Sequence, residues 1–261
     1  MFKSMGLVVG VLLGLALVYS PTPAVGWVER PASPDAKPTG IQPAPAITQV
    51  PEQPPEGVLG YYTADGGKTF IPIMEEKGVA ERIPSGTTKE DFMAAHRMTA
   101  EAKAAIVHQE PLVPFVLDGV VYQPEQVHLF DGKQLGFTVG GDGRLYAFTS
   151  PSALENFMVE EQEAPLAPGW PPEYSVFYGD PYCGGSQQLG ILPGVSKPDL
   201  GPWDNVFSSM DISAYARNGC TLFDLANYQG DYFAVPGPGK WDNLSQQGWN
   251  DRASSIIVWP Q

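Results

Sequence analysis

The chain has 261 residues, a formal net charge of −14, 27 Pro and 29 Gly. That is room for one large or two small domains, and turn-rich β structure with an extended linker suits the composition better than a helical bundle. The charge repels phosphates and excludes nucleic acid as a partner, and because no five like charges run together the acidity reads as solvated surface.

Residues 1–26 carry Lys3, an apolar run from Gly6 to Tyr19, and small residues at Ala24-Val25-Gly26. This pattern predicts a signal peptide, and hence a secreted or extracytoplasmic protein. The uncharged stretch Ser4 to Val28 is also just long enough to span a bilayer uncleaved, the one route to a membrane partner. Residues 27–56 form a Pro-rich linker with too few large apolar side chains to offset their ordering entropy.

Residues 57–162 read as a small α+β unit of their own. A capping box at Thr87-Thr88-Lys89-Glu90 opens a helix through Phe92, Ala95, Ala102 and Ile106, stopped by Pro111. Asp118-Gly119, Asp131-Gly132 and Asp142-Gly143 are hairpin signals, which place strands over Pro114–Gln123, Val127–Phe130, Leu135–Val139 and Arg144–Thr149. Ser150-Pro151 starts another helix running to about Glu161. Residues 163–173 are a second Pro-rich joint.

Residues 174–261 contain a repeat. Trp203-Asp204-Asn205-Val206-Phe207-Ser208-Ser209 returns as Trp249-Asn250-Asp251-Arg252-Ala253-Ser254-Ser255, 46 residues later. Without a gap, the same offset lays Phe177 on Phe223, Tyr182 on Tyr228 and Gly184 on Gly230. In each half, then, an aromatic strand leads to a Tyr-x-Gly hairpin, and a Asp/Asn-Asp/Asn-x-x-Ser-Ser loop follows. These loops offer oxygen donors and no His or Cys, the donor set of a hard cation such as Ca²⁺ rather than zinc or copper.

At these residues the chain resembles the microbial calcium-binding members of the βγ-crystallin superfamily. The resemblance implies an all-β Greek-key β-sandwich of two motifs, 174–219 and 220–261, preceded by the α+β unit, and two Ca²⁺ ions held where the loops meet. It implies hydroxyl ligands from Ser208 and Ser254 and carbonyl ligands from Val206 and Arg252. It further implies that Asn205 and Asp251 reach across to the opposite loop, and that hairpin carbonyls near Tyr178 and Asp224 complete the shells. Ser209 and Ser255 would pin the hairpins, with Asp204 and Asn250 bracing the loops. Because the crossing residue is Asn in one loop and Asp in the other, the site receiving Asp251 is expected to bind more tightly.

Cys183 and Cys220 are the only cysteines. An oxidising compartment would let them form a disulfide, with two separate buried thiols as the alternative. Three classes of function follow: a calcium-stabilised structural or binding module, an inhibitor of a secreted protease (a metalloproteinase inhibitor on the same sandwich), and an enzyme. The first leads, with a secreted protease or an envelope component as possible partner. His96, His108 and His128 lie far apart with no metalloprotease spacing, so a catalytic role is not expected.

Overall fold

Apolar residues alternate along the repeat, and the strands they form pack in a sandwich, several of them buried on both faces. The structure is a computed structural model that describes residues 45–158 and 170–260. The expected signal segment and most of the expected linkers lie outside the described residues.

In chain order the elements are β1 Val58–Thr63, β2 Ile71–Met74, β3 Glu81–Arg82, α1 Lys89–Ala95, α2 Ala100–Ala104, β4 Phe115–Leu117, β5 Val120–Tyr122, β6 Gly136–Val139, β7 Leu145–Phe148 and α3 Pro151–Met158. The repeat then supplies β8 Ser175–Asp180, β9 Gly184–Ile191, β10 Val195–Lys197, β11 Ser209–Ile212, β12 Cys220–Leu225, β13 Gln229–Val235, β14 Gly239–Trp241 and β15 Ser255–Val258. One sheet runs β14-β11-β8-β9-β1-β2, the other β3-β10-β15-β12-β13-β6-β7-β4-β5.

The repeat builds the middle of both sheets by strand exchange. β8, β9 and β11 of the first half lie together, while β10 crosses to pair with β15 of the second half. Reciprocally, β12, β13 and β15 lie together and β14 crosses to pair with β11. Each half is a Greek key that completes the other's sheet. Phe177, Phe207, Met210, Leu222, Phe233, Trp249 and Ile256 fill the space between the sheets.

The stretch 57–162, expected as a unit apart, instead shares both sheets. β1 extends the first sheet through β9, and β6 joins β13 in parallel with Tyr232 opposite Gly136. A Cβ at Gly136 would overlap the Tyr232 ring, so only glycine lets these strands approach. α1 and α3 cover the outer face of the second Greek key, where Phe92 and Leu154 pack with Phe223, Tyr228, Tyr232, Ile257 and Trp259. The sequence pattern indicates β4 to β7 but not β1, β2 or β3, and it does not show what any of them pairs with.

Three local expectations are corrected. The helix beginning at Thr88 breaks after Ala95, where His96 Nδ1 bonds the Phe92 carbonyl at 2.9 Å, and it restarts behind a second cap, Thr99. Val127–Phe130 belongs to a 3₁₀ helix over Pro124–Phe130, because Pro124 sits at its first position and Gln126 bonds back to the Gln123 N–H at 2.7 Å. The Cys183–Cys220 disulfide is not formed: both thiols are free. Cys183 lies in the β8–β9 hairpin, whereas Cys220 heads β12 in the other sheet with its Sγ against Met210. Burial pushes the Cys183 thiol up to about 11 and that of Cys220 higher still, so neither is poised as a thiolate.

Candidate cation site at the paired loops

The two loops lie against each other, related by the same pseudo-twofold as the strands. Asn205 N–H donates to Ala253 O and Asp251 N–H to Phe207 O, both at 2.9 Å. Asn205 and Asp251 adopt left-handed backbone, φ 56° and 51°, a conformation short polar side chains tolerate. Each loop then docks on its own hairpin, through Ser208 N–H to Tyr178 O and Ser254 N–H to Phe223 O.

The second serine of each pair pins a hairpin. Ser209 Oγ donates to Asp180 O and accepts from Cys183 N–H; Ser255 Oγ donates to Leu225 O and accepts from Tyr228 N–H. These bonds correct the repeat register. Cys183, not Tyr182, is the structural counterpart of Tyr228, and Tyr178, not Phe177, is that of Phe223. The positive-φ glycines agree, Gly185 at 89° matching Gly230 at 77°. The hairpins are therefore offset by 45 residues and the loops by 46, one residue being taken up between them.

At the first site three oxygens from three segments converge. Ser208 Oγ lies 2.9 Å from Gly179 O and 3.4 Å from Asp251 Oδ1, the latter from the opposite loop. Oxygens about 3 Å apart are what neighbouring ligands at 2.3–2.6 Å from Ca²⁺ require. Tyr178 O is already the acceptor for Ser208 N–H, so the hairpin carbonyl facing this site is that of Gly179.

At the second site Ser254 Oγ donates to Asp204 Oδ1. The crossing group is therefore Asp204, which the sequence reading had made a brace. Asn205's side chain forms no hydrogen bond among the described residues. Each site thus receives one carboxylate from the other loop, and the expected difference of one charge between them disappears. Asp224, the structural counterpart of Gly179, occupies the second site's hairpin. Its Oδ2 accepts from Arg252 at 2.9 Å, while its Oδ1 is buried without a hydrogen-bond partner. Burial, opposed by Arg252, pushes its carboxyl up to about 6. The carbonyls of Val206 and Arg252 accept no hydrogen bond among the described residues, which leaves their lone pairs free for a ligand.

Arg252 leads to residues the sequence reading missed. Its guanidinium is buried, lies 4.5 Å from the Trp249 ring centroid, and donates to Asp231 Oδ2 at 3.0 Å as well as to Asp224. Asp231 in turn meets His108 Nδ1 at 2.7 Å and accepts from Leu135 N–H at 2.9 Å. His108 Nε2 lies 2.9 Å from Phe130 O. Desolvation lowers the His108 pKa, but Asp231, together with Phe130 O and Asp131, raises it overall. No local signal links His108 to Asp231, which is 123 positions away. His96 stacks on Phe92 and His128 lies beside Glu110 and Asp131 at the surface, so the three histidines occupy separate settings.

Two Greek keys that exchange their third strands, with serine-pinned hairpins and paired Asp/Asn loops, define a βγ-crystallin-like sandwich. Similar solved structures are βγ-crystallin domains. One from Ciona intestinalis is 24% identical with TM-score 0.27, matching 33% of this chain and 98% of its own. One from an archaeon is 20% identical with TM-score 0.27, matching 33% and 95%. One from Clostridium beijerinckii is 18% identical with TM-score 0.26, matching 33% and 97%. Comparison with family models and with curated proteins gives no match.

Proposed function

We propose that the paired loops bind two Ca²⁺ ions and that the protein is a calcium-stabilised, non-enzymatic structural or binding module acting outside the cytoplasm. The observation that carries this reading is the convergence of Ser208 Oγ, Gly179 O and Asp251 Oδ1 across the two loops. Gly179, Val206, Ser208 and Asp251 would hold the first ion; Asp224, Arg252, Ser254 and Asp204 the second, with carbonyls from Gly179, Val206, Asp224 and Arg252. The ion would supply positive charge that binds oxygens of both loops at once. Among the described residues no three His, Cys, Asp or Glu cluster as metal ligands, so the shells depend on hydroxyls, carbonyls and water. Carboxylate-poor sites of this kind suit dissociation constants on the order of 10⁻⁵ to 10⁻³ M, the range of extracellular calcium modules. The amino-terminal apolar run supports the extracytoplasmic setting.

Binding to the native state alone adds about 2.7 kcal/mol per ion at a hundredfold excess of calcium over the dissociation constant, roughly 5 kcal/mol for the two. For a chain of this size that raises the melting midpoint by roughly 10–20 °C between EDTA and saturating calcium. Ser208→Ala should remove about half of that gain while moving the EDTA midpoint by no more than about 1 kcal/mol equivalent. Equal midpoints in calcium and EDTA for the unaltered chain would refute the reading.

A further inference from the structure

We infer that the buried network His108–Asp231–Arg252 is a positioning device: the stretch 57–162 holds the second cation loop in shape and keeps its arginine away from the crossing carboxylate. The inference rests on the calcium reading above and assigns a role to His108 and Asp231, outside the ligand sets, and to the side chain of Arg252.

Arg252 stands third in the second loop, where the first has Val206. Its carbonyl is a candidate ligand, yet its side chain is a cation 6% exposed. A guanidinium free to turn toward Ser254 would compete with a divalent ion for the crossing carboxylate, Asp204. It is drawn the other way. One nitrogen, Nη2, donates to both Asp224 Oδ2 and Asp231 Oδ2, and the group stacks on Trp249.

Asp231 can anchor Arg252 only because it is itself fixed. It sits 1% exposed, and among the described residues the stretch 57–162 supplies the other contacts of its carboxylate, His108 Nδ1 to Oδ2 and Leu135 N–H to Oδ1. His108 is fully buried and tied to Phe130 O. The chain of contacts thus runs from the 3₁₀ helix through His108 and Asp231 to the loop. The first site has Val206 and Gly179 where the second has Arg252 and Asp224, so it needs no such support. Residues that orient a metal's ligands commonly change affinity about 10- to 100-fold when altered.

The test uses the full chain and calcium titration calorimetry, with Asp251→Asn and Asp204→Asn marking the first and second sites. Asp231→Asn should weaken the second site at least about tenfold and leave the first unchanged. Adding Arg252→Val to Asp231→Asn removes the unanchored cation and should return the second site to within about threefold of its unaltered affinity. Amide hydrogen exchange of the calcium-free chain gives a readout independent of the metal. Asp231→Asn should speed exchange at Ser254, whose N–H bonds Phe223 O, and not at Ser208. Equal weakening of both sites, equal acceleration at both serines, no change at either, or failure of Arg252→Val to rescue would each overturn the inference. A chain that takes up no calcium at all overturns the calcium reading instead, and the exchange comparison then still decides whether the network holds the loop.

Discussion

Asp211 carries a carboxyl group that the fold leaves short of partners. It lies 4% exposed on β11, and its Oδ2 has no hydrogen-bond partner. Burial, with Lys240 opposing and Asp242 adding, raises its pKa to about 6. A carboxyl whose folded pKa lies above its unfolded value favours the fold while protonated. Its contribution is therefore complete below about pH 4 and is lost as the pH climbs through 6. Asp211→Asn should raise the stability of the calcium-free chain at pH 7.5 by about 1–3 kcal/mol and change it little at pH 4. Denaturant unfolding at both pH values checks this; a variant that is less stable at pH 7.5 would contradict it. Residue type alone shows that both loops are rich in oxygen donors, whereas the choice of Ser208, Ser254 and Asp251 comes from the family resemblance. Which of two adjacent carboxyl or amide groups crosses was not visible. Asn205 and Asp251 share the same left-handed turn, yet Asp251 itself faces Ser208 whereas Asp204, one position before Asn205, faces Ser254.

The elements of the repeat were legible because a recurring motif constrains them twice. The strands expected after each Ser-Ser pair are β11 and β15, buried at every position rather than on one face, and the Asp118-Gly119 hairpin forms with both residues at positive φ, 51° and 78°. The register of the hairpins was not legible. An ungapped offset aligned Tyr182 with Tyr228, whereas the serine bonds pick Cys183, and sequence identity at one position outweighed a backbone requirement it could not express. The long helix failed for a related reason: Thr99 offers its side chain to Ala102 N–H and starts a new helix where periodicity alone would continue. α1 has a specific job in this arrangement. Phe92 meets Tyr228 at 5.1 Å and Trp259 at 5.6 Å between ring centroids, sealing the outer face of the second Greek key. Phe92→Ala should cost about 3–5 kcal/mol in chemical denaturation. A loss below about 1 kcal/mol would mean that the helix covers this face without stabilising it.

At the scale of the whole molecule, one sandwich has been widened at its edges rather than joined to a neighbour. The Greek-key pair was written in the chain as two copies of one pattern. The strands that extend it are single copies, and their partners β9, β10 and β13 are chosen by long-range packing that local sequence does not encode. The same widening breaks the symmetry of the pair. Helices cover the second key with apolar side chains, while β11 of the first carries the buried Asp211, and only the second loop is tied through Arg252 and Asp231 to the added stretch. At this scale the central claim is that the two loops meet at a place for cations. Equilibrium dialysis of the full chain against ⁴⁵Ca²⁺ tests that most directly, counting ions per molecule in the unaltered protein and in the double variant Asp204→Asn, Asp251→Asn. Two ions per chain, lost in the double variant, is the predicted result; no uptake by the unaltered chain, or two ions retained when both crossing carboxylates are gone, would contradict it.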